Sequence, residues 1–344
     1  MLERFCATIL RPICFSLSFP CRIRYISKCA SCLMDHENLL PSGRSLASFR
    51  LCSVSGYTTE LLDIHAEEPK LHVLFIPGNP GVASFYKDFV ESLYELLGGS
   101  VSVTAIGHVS HTKKNWEHGR LFSLQDQIDH KMDFIQHELK NIDAPILLVG
   151  HSIGAYISME MFRRSPDKVI YYVGLYPFLA LNSESRKQTT IGKISASPIL
   201  CAALSSIVAF LGLLPRWASG FIVSNSLGKS WSSTAVEALC SHLLKYHTIR
   251  NVLYMAMTEF TRLSEPLDWV FMREKRSQIA FLFGVDDHWG PLQMLEEISK
   301  QAPDVALSIE REGHSHAFCC TEAGSLWVAQ HVANLIKNQI SSAD

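Results

Sequence analysis

A serine flanked by glycines stands where an apolar segment gives way to helix-forming sequence, in LLVGHSIGAY (Leu147 to Tyr156). The central Ser152 lies in the pattern Gly-x-Ser-x-Gly, which is typical of a strained turn that exposes a nucleophile between a strand and a helix. The same pattern also occurs in ordinary tight turns. Its place between a predicted buried strand and a predicted helix favours the catalytic interpretation.

A serine hydroxyl is a weak nucleophile at neutral pH, so it needs a general base and an acid that orients the base. Two later strands end in suitable loops: IAFLFG is followed by VDDHWGP, and VALSIE is followed by REGHSHAF. Each loop is at the carboxyl end of a predicted strand, where ligands bind in open α/β sheets. The chain order serine, aspartate, histidine is that of α/β-hydrolases, and it predicts a Ser-His-Asp triad.

The first loop offers two carboxylates. Asp287 lies three residues after Gly284 and four before Pro291, which resembles the hydrolase arrangement Gly-x-x-Asp-x-x-x-Pro. Asp286 is the alternative acid, and otherwise it caps the turn. We therefore expect Asp287 to be the acid, with Asp286 as the second choice.

The second loop offers two histidines. His314 follows Gly313, as in the common hydrolase Gly-His pattern, whereas His316 begins the segment HAF. Only one of them can act as the base for Ser152. Local spacing does not decide between them.

A turn rich in proline and glycine, PGNPG (Pro77 to Gly81), follows the predicted strand LHVLFI. Its small residues would let backbone N–H groups approach a developing oxyanion, and proline would stiffen the turn. The expected donors are the backbone N–H groups of Asn79 and Ile153. The alternative is a plain turn, but the elbow downstream favours an oxyanion hole.

Strand-like and helix-like segments alternate along most of the chain, which predicts an α/β fold with a mainly parallel sheet covered by helices on both faces. We assign residues 46–180 and 279–344 to an α/β-hydrolase core. The intervening residues 181–278 are too many for one connection, and we expect them to form an inserted helical lid.

The lid contains an apolar segment, residues 194–215, with no charged residue between Lys193 and Arg216. Serines, prolines and a glycine weaken the prediction of a membrane-spanning helix. The segment is either a buried lid helix or a surface that lies in an apolar lipid layer, bordered by Arg216 and Trp217.

Composition excludes several classes. The net charge of −2, from 31 basic and 33 acidic residues, gives no electrostatic basis for binding nucleic acid. Six of the ten cysteines lie in the first 52 residues, which is not a disulfide framework for the whole chain. Residues 1–45 form an N-terminal extension, whose basic bias fits either an organellar transit peptide or a disordered segment preceding a start at Met34.

Several motifs together resemble the lipid droplet-associated hydrolases, a branch of the α/β-hydrolase fold. They are FIPGNPGVASFY, GHVSH, LQDQIDHKMDF, GHSIGAY, DDHWGP and HSHAF, spread between Leu71 and Phe318. The resemblance implies that His316, in its HAF context, is the base and that Asp287, which precedes x-Trp-x-Pro, is the acid. The cysteine-rich extension and the DDHW loop depart from the animal members and favour a non-animal one.

The resemblance implies a neutral lipid substrate, such as a sterol ester or triacylglycerol, and localisation at lipid droplets and also the endoplasmic reticulum. We expect no cofactor and no metal. His108 and His111 are expected to form hydrogen bonds near the site, because no carboxylate lies close by in sequence to complete a metal site. The leading hypothesis is a serine ester hydrolase; the alternatives are a non-catalytic lipid-droplet surface protein and an acyltransferase.

Overall fold

A computed structural model describes residues 46–140, 144–227 and 230–343, so the predicted N-terminal extension, residues 1–45, lies outside the described residues. The strands are β1 (Ser48–Val54), β2 (Tyr57–Ile64), β3 (Leu71–Ile76), β4 (Val101–Ile106), β5 (Ile146–His151), β6 (Val169–Leu175), β7 (Ile279–Gly284) and β8 (Ala306–Glu310). They form one sheet in the order β1-β2-β4-β3-β5-β6-β7-β8. Among these eight strands β2 alone is reversed: it pairs antiparallel with β1 and β4, while the other pairs are parallel. The prediction of a mainly parallel sheet is confirmed.

Helices cover both faces of the sheet, as the alternating pattern predicts. In β3, Val73 and Phe75 pack into one apolar cluster, while Leu74 and Ile76 pack into the other, because successive side chains of a strand point to opposite faces. Strands with two covered faces read as continuous apolar runs. The helices are α1 (Lys87–Leu96), α2 (Leu124–His137), α3 (Ile153–Arg164), α4 (Arg186–Ser195), α5 (Pro198–Gly212), α6 (Arg216–Leu227), α7 (Ser233–Ala238), α8 (Tyr246–Arg262), α9 (Trp269–Glu274), α10 (Leu292–Gln301) and α11 (Glu322–Ala343).

The first two strands form a tight hairpin with Val54 opposite Tyr57. The two turn residues, Ser55 and Gly56, have φ angles of 51° and 83°. Two successive positive φ angles match the right-handed twist of the flanking strands, which is why a Ser-Gly pair suits this turn.

The chain between β6 and β7 is helical, from α4 to α9. Among these helices, α5 contains most of the apolar segment, and it is not the wholly buried helix that was one of the two expectations. Cys201, Leu204 and Val208 are buried, whereas Ile199 and Phe210 are 80% and 70% exposed. One side of α5 therefore packs on the protein while the other presents apolar side chains to the surroundings.

No single helix within the described ranges is long and apolar enough to cross a membrane. Helices α4 and α5 meet at an angle of 97°. Taken together they have the length and the apolar composition of a membrane span, and only length and composition support that comparison.

Candidate active site

Ser152 follows β5 directly and precedes α3, in a backbone conformation of φ 56° and ψ −124°. A positive φ is strained for a residue with a side chain, and such strain persists only where the surroundings enforce it. Here the Ser152 N–H donates to the Leu175 carbonyl at 2.9 Å, and the Ser152 carbonyl accepts from the Phe178 N–H at 3.1 Å. The serine is thus held at the carboxyl edge of the sheet.

The two glycines of the elbow are required by close backbone approaches. A Cβ on Gly150 would lie 2.3 Å from the Gly154 carbonyl oxygen, and a Cβ on Gly154 would lie 2.2 Å from the Ile76 carbonyl oxygen. Both distances are far below contact distance, so α3 can pack this closely on β5 and β3 only without side chains at these positions.

His316 and Asp287 form a buried pair in the loops after β8 and β7. The His316 Nδ1 lies 2.8 Å from Asp287 Oδ2, while Asp287 Oδ1 accepts from the Trp289 N–H at 2.9 Å. Because the carboxylate only accepts, Nδ1 carries the proton and donates it, which leaves a lone pair on Nε2 for another proton. This is the tautomer that a general base for a serine needs.

The alternative candidates do not line the cavity of Ser152. Asp286 is exposed. His314 is half-buried, and its ring contacts Trp327 with centroids 5.9 Å apart. Both line a neighbouring depression that Asp287 and His316 also border but Ser152 does not. It is the hydrogen bond that distinguishes the candidates, because it joins Asp287 to His316.

Ser152, His316, Asn79 and Ile153 line one cavity of about 270 Å³. Within the described part of the chain, no hydrogen bond joins Ser152 to His316, and such bonds are often long in unliganded enzymes. The remaining wall is mainly apolar and comes largely from the β6–β7 region. It includes Phe178, Ile191, Ile194, Leu204, Val252, Leu253, Ala256, Phe260 and Trp289.

Some backbone N–H groups of the Pro77 to Gly81 loop already have a hydrogen-bond acceptor and others do not. Gly78 donates to the Tyr86 hydroxyl at 3.1 Å, and Gly81 donates to His111 Nδ1 at 2.8 Å. Proline has no N–H. Among the described residues the Asn79 N–H has no acceptor, and neither does that of Ile153 at the start of α3. These are the two groups expected to bind an oxyanion.

Residues of the motifs GHVSH and QIDHK support this loop through hydrogen bonds. The Gly81 carbonyl accepts from the His108 N–H at 2.8 Å. Gln127 pairs with both backbone groups of Val109, and Lys131 Nζ donates to the Gly107 carbonyl at 2.9 Å. The loop after β4 therefore links α2 to the candidate oxyanion loop.

His111 is a hydrogen-bond acceptor and not a general base. Burial, and then the charge of Lys131, lower the pKa of His111 to about 3, so it stays neutral near pH 7. Its Nδ1 already accepts from the Gly81 N–H. Over the described ranges, no three His, Cys, Asp or Glu side chains come together where they could hold a metal ion.

His151, in the elbow, contacts the candidate base His316. Its Nε2 lies 2.9 Å from the His316 carbonyl, and its Nδ1 lies 2.7 Å from the Tyr86 hydroxyl. A carbonyl only accepts, so Nε2 carries the proton and Nδ1 accepts from the hydroxyl. Burial, and then His316, lower the pKa of His151 well below 6.5, which keeps it neutral. His151 is thus placed to orient the backbone of His316.

One polar residue of the cavity was not expected from the sequence: Glu259 on α8. It is 4% exposed, and its Oε1 accepts from the Asn79 side-chain amide at 2.9 Å. The sequence does contain one signal for it. Glu259 follows Met255 by four residues and Ala256 by three, so it lies on the apolar stripe of an amphipathic helix. Such a position is unusual for a solvated carboxylate.

The chain resembles known proteins over most of its length. The family profile described as lipid-droplet associated hydrolase matches residues 69–319. A lipid droplet-associated hydrolase of Gallus gallus is 30% identical over 268 residues, covering 73% of this chain and 80% of the relative. One of Rattus norvegicus is 28% identical over 305 residues, covering 83% and 90%.

A solved structure has the same fold. The haloalkane dehalogenase DbeA of Bradyrhizobium elkani superimposes with a TM-score of 0.65 at 16% identity, covering 87% of this chain and 100% of that one. At this identity the likeness shows the fold alone, and it agrees with the predicted α/β-hydrolase core.

Proposed function

The chain belongs to the lipid-droplet associated hydrolase family, and from that premise we propose that it is a serine ester hydrolase acting on neutral lipids at lipid droplets. Sterol esters and triacylglycerols are the proposed substrates. The observation that carries the proposal is the 2.8 Å pair of His316 with Asp287, because His316 lines the same mainly apolar cavity as Ser152.

The proposed reaction begins with attack of Ser152 Oγ on the ester carbonyl carbon, while His316 Nε2 takes the hydroxyl proton. The carbonyl oxygen becomes an oxyanion that accepts from the N–H groups of Asn79 and Ile153. Asp287 stabilises the imidazolium that has formed. Collapse of the tetrahedral intermediate breaks the bond to the alcohol, which leaves with the proton from His316.

The second half of the reaction frees the serine. The acyl group is now bonded to Ser152 Oγ, and a water molecule takes the place of the alcohol. His316 Nε2 removes a proton from that water as it attacks the acyl carbon. The fatty acid leaves and the proton returns to Ser152.

An activity-based probe tests the proposal. A fluorophosphonate reacts with an activated serine, so the wild-type protein should be labelled and Ser152→Ala should not. Ser158→Ala, which removes a buried hydroxyl of α3 outside the cavity, is the matched control and should be labelled like the wild type. A folded wild-type protein that never reacts would support a non-catalytic surface protein instead.

Association with lipid is proposed to use the outer surface of the helices that contain the apolar segment. This surface, which we name the apolar face, has side chains from α5, from the turn after it and from α6. Its members are all about half exposed or more: Ile199, Leu200, Phe210, Leu213, Trp217 and Phe221. Apolar side chains on adjacent helices suit insertion into the boundary layer of a lipid surface.

A further inference from the structure

Glu259 is an acid in a place where an ester substrate would put hydrocarbon. It lies on α8 two turns after Val252, and both residues line the cavity together with Ser152. The rest of the wall around it is mainly apolar. An ionised carboxylate there would lose hydration as soon as an acyl chain entered the cavity.

The Asn79 side chain ties Glu259 to the candidate oxyanion loop. Asn79 Nδ2 donates to the Val252 carbonyl and to Glu259 Oε1, both at 2.9 Å. The Val252 carbonyl can only accept, which fixes the orientation of the amide and makes Oε1 an acceptor as well. In the described residues, Glu259 Oε2 has no hydrogen-bond partner, so it is the oxygen on which a proton would sit.

We propose that Glu259 is a positioning residue that works as a neutral acid: it holds Asn79 in the oxyanion loop, and its ionisation weakens binding of an uncharged acyl chain. The inference rests on the proposed esterase function. It adds a requirement that the triad alone does not contain, namely one extra proton on the enzyme that binds substrate.

Burial is the larger influence on Glu259, and it raises the pKa from an ordinary 4.5 to about 8, while the hydrogen bond from Asn79 works in the lowering direction. The elements around it carry both acidic and basic groups, and α5 has no charged residue. The cavity itself has His151, His316 and Tyr86. The neighbouring elements include Tyr156 on α3, His247, Arg250, Tyr254 and Arg262 on α8, Arg186, Lys187 and Lys193 on α4, Asp126, His130 and Lys131 on α2, and His242 before α8.

The kinetic test is the pH dependence of hydrolysis of an uncharged ester, p-nitrophenyl octanoate. For the wild type, kcat/KM should fall above about pH 8, by roughly tenfold per pH unit where one proton is required. The fall should come mainly from KM, because ionisation opposes binding of the acyl chain.

Three variants separate positioning from ionisation. Glu259→Gln keeps an oxygen that can accept from Asn79 but cannot ionise, so its profile should lack the alkaline fall. Glu259→Leu removes the acceptor, so kcat should drop at every pH without an alkaline fall. Glu160→Gln is the matched control, since Glu160 pairs with Arg163 outside the cavity, and it should fall like the wild type.

Thermal unfolding provides a readout that does not need activity. The folded-state pKa of Glu259 is raised, so the folded protein holds a proton that the unfolded chain has lost between pH 4.5 and about 8. Stability is lost as pH rises across that window. The Tm of Glu259→Gln minus that of the wild type should therefore increase from pH 5 to 8 and level off above it.

The outcomes are distinct. An alkaline fall in the wild type that is missing in Glu259→Gln, with the expected Tm difference, supports the inference. An equal fall in both proteins overturns it and leaves the proposed function standing. A folded wild-type protein that hydrolyses nothing at any pH overturns the proposed function, and the Tm series then still tests the neutral state of Glu259.

Discussion

At the scale of residues, the contacts of two histidines in the site show which ring nitrogen carries the proton. Asp287 fixes the proton of His316 on Nδ1, and the His316 carbonyl fixes that of His151 on Nε2. Both histidines thus have one defined tautomer, which is set by neighbours that can only accept. The sequence contains the residues, but the tautomers depend on contacts between loops far apart in the chain.

The two carboxylates of the acid loop should differ sharply. Asp287→Asn would offer an N–H to His316 Nδ1 and favour the wrong tautomer, so we expect kcat to fall by roughly 10⁴-fold. Asp286→Asn changes an exposed side chain outside the cavity and should leave kcat within about twofold, since surface changes are usually small. Steady-state hydrolysis of a soluble ester measures both. Equal losses in the two variants would contradict the assignment.

At the scale of elements, α2 supports the candidate oxyanion loop through the loop after β4. It begins with a capping box in which Ser123 and Asp126 exchange hydrogen bonds, and this places Gln127 and Lys131 against the loop after β4. That loop in turn holds Gly81. The motif QIDHK is therefore explained by backbone contacts rather than by chemistry on the substrate.

Lys131→Met should both destabilise the protein and lower its kcat. The methionine fills a similar space but removes one donor from the Gly107 carbonyl, which keeps the Thr59 hydroxyl, and one from Gln127 Oε1, which keeps the Val109 N–H. Each lost hydrogen bond should cost about 0.5–1.5 kcal/mol. We expect a lower free energy of unfolding in urea and a lower kcat, since the proposed oxyanion loop loses support. Lys300→Met, at an exposed position of α10, is the control and should change neither.

The apolar face is the element whose character the sequence left open. Phe210→Glu combined with Leu213→Glu should preserve the fold, because these side chains are 70% and 80% exposed. Each substitution removes the free energy of burying one apolar side chain in lipid, about 1.5–3 kcal/mol. The affinity for triolein emulsions, measured by flotation, should therefore fall by roughly tenfold or more. Phe49→Glu, an exposed site on β1, is the control. Unchanged flotation of the folded double variant would reject the apolar face as the lipid contact.

At the scale of the whole molecule, the fold carries several histidines that are buried and neutral. Burial is the main cause in each case, and it lowers the pKa of His72 to about 4, of His111 to about 3 and of His130 to about 2. His108 and His151 are lowered well below their ordinary value. The unfolded chain binds protons at these sites from about pH 6.5 downward, whereas the folded protein does not.

The contribution of these histidines to stability should therefore be fully present above about pH 6.5 and be lost as the pH falls toward 4. Below pH 6.5 these five groups together outweigh the opposite dependence of the single Glu259. Each such histidine contributes up to about 1.4 kcal/mol of unfolding free energy per pH unit in that range. Urea midpoints measured from pH 7 to pH 5 check this. His130→Gln should reduce the slope and the exposed His118→Gln should not; a flat wild-type profile would contradict the prediction.

How far sequence reasoning reaches differs between fold and site. The predicted strands LHVLFI and IAFLFG match β3 and β7 to the residue, because buried strands read as unbroken apolar runs between turn residues. The two histidines after β8 could not be separated by spacing, because the choice depends on which ring meets Asp287. Glu259 was missed, because an acidic residue in a helix is usually exposed to solvent. Its burial depends on the other helices that enclose the cavity.

The proposed hydrolase depends on transfer of an acyl group to Ser152, and mass spectrometry of the acid-quenched protein detects that transfer. The wild type is mixed with excess p-nitrophenyl octanoate, and the peptide that contains Ser152 is examined within milliseconds to seconds. We expect one octanoyl group on Ser152, absent in Ser152→Ala, with more accumulating when the ester concentration rises. Hydrolysis by the wild type with Ser152 unmodified, or undiminished hydrolysis by Ser152→Ala, would contradict it.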